Sequence, residues 1–272
     1  MESNKRSFFQ KLSSGLSIIA IPLELGISIL IFKFVMGNPA NFMGNDPANN
    51  PIQGNYLGIV YKGGFVVPIL MTLFMLVITF VVERFITLNK ISGKDNIIEF
   101  VQKIKELLKV GDIEKAQDEC DLQKGSIANV IKSSLIKYKE VEMSTQLDVE
   151  KKIMSIQKEI EETTHLEMPM LEKNLVIIST IASIATLMGL FGTVLGMIKA
   201  FAALANAGAP DAVALANGIS EALVNTALGI STAAIAIIFY NYFTNRIDNM
   251  TYRIDEAGYS IVQTFAIMHP TK

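Results

Sequence analysis

Residues 175–204 read LVIISTIASIATLMGLFGTVLGMIKAFAAL, thirty positions with Lys199 as the one charged side chain. A helix needs about 20 apolar residues to cross roughly 30 Å of hydrocarbon. This run would form about 45 Å of helix, so it crosses a bilayer with its ends projecting or its axis tilted. The following run, VALANGISEALVNTALGISTAAIAIIFYNYF at 213–243, is as long, and apart from tyrosines its one ionisable side chain is Glu221. Two further apolar runs precede them, at 16–36 and 65–82. Four such stretches and no strand-like alternation predict an all-α, polytopic membrane protein.

The bulk composition agrees. Half of the 272 residues are hydrophobic and 18% are charged, against roughly 25% charged in a soluble globule. Mean hydropathy is +0.39. The net charge of −2 offers nothing to attract nucleic acid, and membrane lipid is the expected surroundings. Charge is also segregated, because 15 of the 24 basic and 18 of the 26 acidic residues lie within 83–174. That pattern marks a soluble block strung between spans.

The distribution of Lys and Arg sets the expected orientation. Lys5, Arg6 and Lys11 put the N-terminus inside, as an uncleaved anchor, since no small-x-small site follows the first apolar run. The stretch 37–64, rich in Asn, Pro and Gly, reads as an irregular outer loop. The block 83–174 is then inside, the short turn 205–212 outside, and the C-terminus inside. The resulting division is 1–64 (tail, first apolar helix and outer loop), 65–82 (span), 83–174 (cytoplasmic helical domain), 175–243 (two long spans) and 244–272 (cytoplasmic tail).

The charged block has helical periodicity. Ile97, Ile98, Val101, Ile104, Leu107 and Leu108 recur at three- and four-residue spacing, with Gly111 as a stop. Residues 127–138 repeat the pattern, and 147–167 suit a solvated helix that continues toward the third span. Nothing in the chain matches a P-loop, a dinucleotide fingerprint, a zinc-protease helix or a nucleophile elbow, so no enzyme is expected. The single cysteine, Cys120, and the separated His165 and His269 supply no metal-ligand spacing. No cofactor is expected either.

Glu221 is the strongest chemical signal. A charge at mid-bilayer costs about 2.5–3.5 kcal/mol on insertion scales, so such residues usually face a bundle interior and mark a pathway. On an ideal helix Thr232, Asn225, Gly218, Gly229 and Ala222 share its face within about 100°, while Thr226 lies about 140° away. Around Thr193 on the preceding run, Ala182, Ala185, Thr186, Gly189, Gly192, Gly196 and Ala200 form a second small face. Small residues let helices approach closely, and the two faces together are more than one four-helix chain is expected to bury. A ring of identical subunits follows, with these runs innermost. With their threonines the two faces fit a narrow polar pore made by several copies, with Thr186, Asn225 and Thr232 among its candidate lining residues. Lys33 and Lys199 read as snorkelling end residues, Glu83-Arg84 as an interface anchor, and Glu24 has no assigned role.

At Gly189-Leu190-Phe191-Gly192-Thr193-Val194-Leu195-Gly196 and Gly218-Ile219-Ser220-Glu221-Ala222-Leu223-Val224-Asn225-Thr226-Ala227-Leu228-Gly229 the sequence resembles the MotA/TolQ/ExbB proton-channel family. The likeness is nearest to the paired segments of ExbB and TolQ and runs over roughly residues 60–245. It implies a pentamer in the bacterial inner membrane, acting with an ExbD/TolR-like single-span protein that carries a membrane aspartate. Proton flow would energise a TonB-like transducer for transport across the outer membrane, with Thr193, Thr226 and Glu221 lining the proton path. The extra first span departs from ExbB and TolQ, which typically have three. A TolQ-like role in the Tol-Pal envelope system and a flagellar MotA-like stator are the alternatives within the family. Outside it stand a proton-coupled secondary transporter, disfavoured by the lack of an inverted repeat, and a scaffold without ion flux, which leaves Glu221 unexplained.

Overall fold

A computed structural model of the chain describes residues 19–94, 96–205 and 211–270. The basic tail at 5–11 and most of the 205–212 turn lie outside the described residues. The helices are α1 (Ile19–Met36), α2 (Tyr56–Tyr61), α3 (Val66–Ile91), α4 (Ile97–Val110), α5 (Ile113–Gln123), α6 (Gly125–Met143), α7 (Val149–Leu171), α8 (Leu175–Leu204) and α9 (Ala212–Met268). Among the described residues there is no β-strand, only an isolated bridge between Phe42 and Pro51. The fold is all-α, and α1, α3, α8 and α9 are long and apolar enough to cross a membrane. The chain divides into two compact units, one of residues up to Val81 plus Ile177–Tyr240, the other of Val82–Val176 plus Asn241–Lys272.

In the first unit α1 lies against α3 through polar groups. Thr79 Oγ1 donates to Glu24 Oε1 at 2.7 Å, and Ser28 Oγ lies 3.5 Å from the Met75 sulfur. Glu24 is therefore buried between helices. The last turn of α1, Ile31–Met36, is π-helical. Its exposed carbonyls are satisfied by Asn41, whose Nδ2 donates to Val35 O at 2.8 Å and Met36 O at 2.9 Å. Asn55 Nδ2 donates in turn to Asn41 Oδ1, and buried Phe42 meets Tyr61 edge-on. The loop expected to be irregular is thus built: two 3₁₀ turns and α2 held by Asn side chains.

The α8–α9 contact is made backbone to backbone. A Cβ placed on Gly196 would sit 2.6 Å from both Ala222 N and Gly218 O, and one on Gly229 would sit 2.6 Å from Ala185 O. The two small faces bury one another within a single chain. That overturns the expectation that they require neighbouring subunits, since one face fills the other and leaves the bulky arc outside.

The second unit has a hydrophobic core of large packed side chains. Val101, Ile104, Leu108, Ile131, Leu135 and Ile156 are buried there, and Tyr138 packs edge-on against Phe265. Helix α4 stops at Gly111 with φ 77°, as its position in the sequence suggested. Helix α5 starts there with Asp112 accepting from Lys115 N. Helix α7 does not run on into α8: residues 172–174 break the chain, with Asn174 at φ 63°. The segment 244–268, read from sequence as a tail, is helical throughout as part of α9. It contributes buried Ile247, Met250, Ile254, Ala257, Ile261 and Phe265. Arg84 is fully buried, donating from Nε and Nη2 to Glu83 and from Nη1 to Leu171 O.

Candidate functional site

The site grows out of the glycine-mediated approach of α8 and α9 in the first unit. Because Gly192, Gly196 and Gly218 remove side-chain bulk from the seam, polar groups on either helix come within hydrogen-bonding reach. The hydroxyls of Thr193 and Thr226 touch each other across the seam. Each also donates to a carbonyl four residues back, Thr193 to Gly189 O and Thr226 to Ala222 O, both at 3.1 Å. Both threonines are half-buried.

Glu221 lies one turn nearer the 205–211 connection and is 6% exposed. Its two oxygens accept from one ammonium, Lys199 Nζ, at 2.6 and 2.7 Å. Lys199 is not a free snorkelling side chain, as its position near the end of α8 had suggested. The remaining side of the carboxylate faces the start of α3. Gly64 adopts φ +75°, and a Cβ there would lie 2.6 Å from Glu221 Oε1. Glycine at this place satisfies both a left-handed backbone and the room the carboxylate needs.

Asn225, fully buried one turn further along α9, donates from Nδ2 to Gly63 O at 2.9 Å. Its Oδ1 has no hydrogen-bond partner among the described residues. Gly192 accommodates the same side chain, since a Cβ there would lie 2.5 Å from Asn225 Cβ. A cavity of about 350 Å³ opens beside this region, lined by Asn50, Gln53, Lys62, Asn217 and Ser220 among others. Ser220 immediately precedes Glu221 in the chain.

The candidate residues thus fall into two groups. Glu221 and Asn225 share a buried pocket with Gly63, Gly64 and Lys199. Thr193 and Thr226 form a separate contact, and among the described residues Glu221 is hydrogen-bonded to neither. Thr232 is buried and Thr186 exposed, and each returns its hydroxyl to its own helix, to Leu228 O and Ala182 O. Sequence reasoning missed Lys199, Gly63 and Gly64. For Lys199 a signal existed: opposite charges on consecutive antiparallel spans, each within about three turns of their connection. Among the described residues no group of three His, Cys, Asp or Glu side chains could hold a metal ion.

Comparison with known proteins bears on this same region. Residues 126–256 match the MotA/TolQ/ExbB proton channel family, beginning inside α6 and leaving α1–α3 outside the match. An ExbB-like biopolymer transport protein of Synechocystis is 36% identical over 86 residues, 31% of this chain and 41% of that protein. The biopolymer transport protein ExbB of Pseudomonas putida is 35% identical over 86 residues, 32% of this chain and 26% of its own length. The Tol-Pal system protein TolQ of Haemophilus influenzae is 39% identical over 82 residues, 30% of this chain and 36% of its own. The chain therefore spans between about a quarter and two fifths of the length of these relatives. The residues matched to the MotA/TolQ/ExbB proton channel family, 126–256, hold α8 and the Glu221 turn of α9.

Proposed function

We propose that this chain is the channel-forming subunit of a proton-driven complex in the bacterial inner membrane, not an enzyme. It works in this reading with an ExbD-like single-span partner carrying a membrane aspartate, and energises a TonB-like transducer for transport across the outer membrane. The observation that carries the reading is the Glu221 carboxylate, buried between α8, α9 and the start of α3 in the unit that holds α1 and most of the apolar length of α3, α8 and α9. Such a group is costly in a membrane and is kept where it has work to do.

In this account protons enter from the cavity at Ser220 and are taken up and released by Glu221. The Thr193–Thr226 hydroxyl pair serves the stretch beyond it, with Asn225, Thr186 and Thr232 as secondary lining positions. About 2.3 kcal/mol is available per charge per 100 mV, so a few protons supply the work of shifting a partner helix. Because the small faces are consumed within the chain, the pentameric ring closes through the bulky exposed arc instead. On α8 that arc includes Leu187, Leu190, Phe191, Val194 and Ile198. Both termini are cytoplasmic.

A Tol-Pal role is the second reading, favoured by the likeness to TolQ at 39% identity. Deletion phenotypes separate the two: lost TonB-type uptake supports the first, and a leaky envelope with normal uptake supports the second. For either, intact mass of the complex purified from native membranes should give several copies of this chain with a one-span partner. A lone monomer contradicts both.

A further inference from the structure

We infer that Lys199 is a latch on Glu221, holding its carboxylate in a closed, non-conducting state until the lysine swings away. The inference rests on the reading of Glu221 as part of the proton path. The two ends of this ion pair differ in freedom. The Glu221 side chain is 8% exposed and the Lys199 side chain 54%. Toward α3 the carboxylate is packed so close to Gly64 that a Cβ there would lie 2.6 Å from Glu221 Oε1.

Lys199 is different. Four methylenes carry its ammonium, and a half-exposed lysine can leave its partner for the outer interface without unpacking its helix. Both oxygens of Glu221 accept from this one ammonium, which stands against the carboxylate while the pair is closed. The half-exposed ammonium is the end of the pair free to leave. The fixed carboxylate is the site and the mobile ammonium is the moving part.

The latch and the underlying reading fail in distinguishable ways. The purified complex, with its native partner, is reconstituted in liposomes and proton entry is followed with a pH dye under an imposed potential. Lys199→Met keeps the stem and removes the charge, and should raise flux several-fold without energised partner activity. Lys199→Arg should return flux to the level of the unaltered protein, and Lys199→Met combined with Glu221→Gln should abolish the gain. Unchanged or lowered flux in Lys199→Met overturns the latch, as does a gain that survives Glu221→Gln. Energised uptake in cells by the single Glu221→Gln variant tests the reading beneath it. Normal uptake there removes Glu221 from the mechanism, whatever Lys199 does.

Discussion

The two units of this chain are held together by opposite means. In the first, the decisive contacts are places where atoms are missing: Gly196 against Ala222 and Gly218, Gly229 against Ala185, Gly64 against Glu221. In the second, they are places filled by large side chains such as Leu135, Ile104, Tyr138 and Phe265. The physical reason is the solvent. Lipid is as apolar as leucine, so burying a leucine between spans gains little, and close backbone approach is what favours association. In water the same leucine gains about 1.5–3 kcal/mol by leaving solvent. The first unit should therefore be broken by adding atoms, the second by removing them.

The largest effect is expected from Gly196→Leu. Its side chain would have to occupy the space of Ala222 N and Gly218 O, both backbone atoms with nowhere to go. The α8–α9 seam should open, and the full-length protein should lose its protease-resistant membrane fragment and its partner. A stable, fully assembled Gly196→Leu variant would contradict the packing described here.

Leu135→Ala, in the second unit, should destabilise the protein by about 2–5 kcal/mol, the cost of a cavity left in an apolar core. Leu223→Ala on α9 removes the same atoms from a side chain that is 65% exposed within the chain and should cost far less. Thermal unfolding of the full chain in detergent gives both. Equal losses would erase the distinction between the units.

Two smaller effects report on the second unit alone. Burial pushes the Cys120 thiol up to about 12, with Asp121 and Glu119 adding to it. Because the thiolate is the reactive form, maleimide labelling at neutral pH should be slow in the folded protein and fast in denaturant. Fast labelling of the folded state would mean that α5 is loosely held. Smallest is the cap of α5. A hydrogen bond from the Lys115 ammonium, followed by one from its backbone N–H, holds the Asp112 carboxyl below its ordinary value. A depressed carboxyl contributes stability above its unfolded value of about 3.9 and loses it as pH falls through the lower folded value. Asp112→Ala should accordingly unfold slightly earlier at pH 7 and match the unaltered protein well below pH 3.9. A constant difference across that range would remove the charge from the explanation.

The same contrast governs what could be read from sequence. Spans were legible because a membrane demands long uncharged runs, and Glu221 was legible because it breaks one. Helix α5 passed unnoticed because its buried face holds only three apolar residues, Ile113, Ala116 and Cys120, with Gln123, amid charged neighbours. The helical run to Met268 had a signal that was not used: Ile247, Met250, Ile254, Ala257, Ile261 and Phe265 recur at three- and four-residue spacing. The pairing of Lys199 with Glu221, and the room made by Gly64, are tertiary facts. Nothing in the sequence beside Gly64 or beside Glu221 says that these two positions meet. The small faces were found correctly but assigned to the wrong contact, since periodicity gives a face and not its occupant.

The central claim is that Glu221 carries the proton, and it is tested most directly by flux through the complex. Reconstituted with its partner and held under an imposed potential, the unaltered protein should acidify the liposome lumen when energised. Glu221→Gln, which keeps the shape and cannot exchange a proton, should reduce that flux to the level of empty liposomes while the complex remains assembled by mass. Flux equal to the unaltered protein in an intact Glu221→Gln complex would contradict the account.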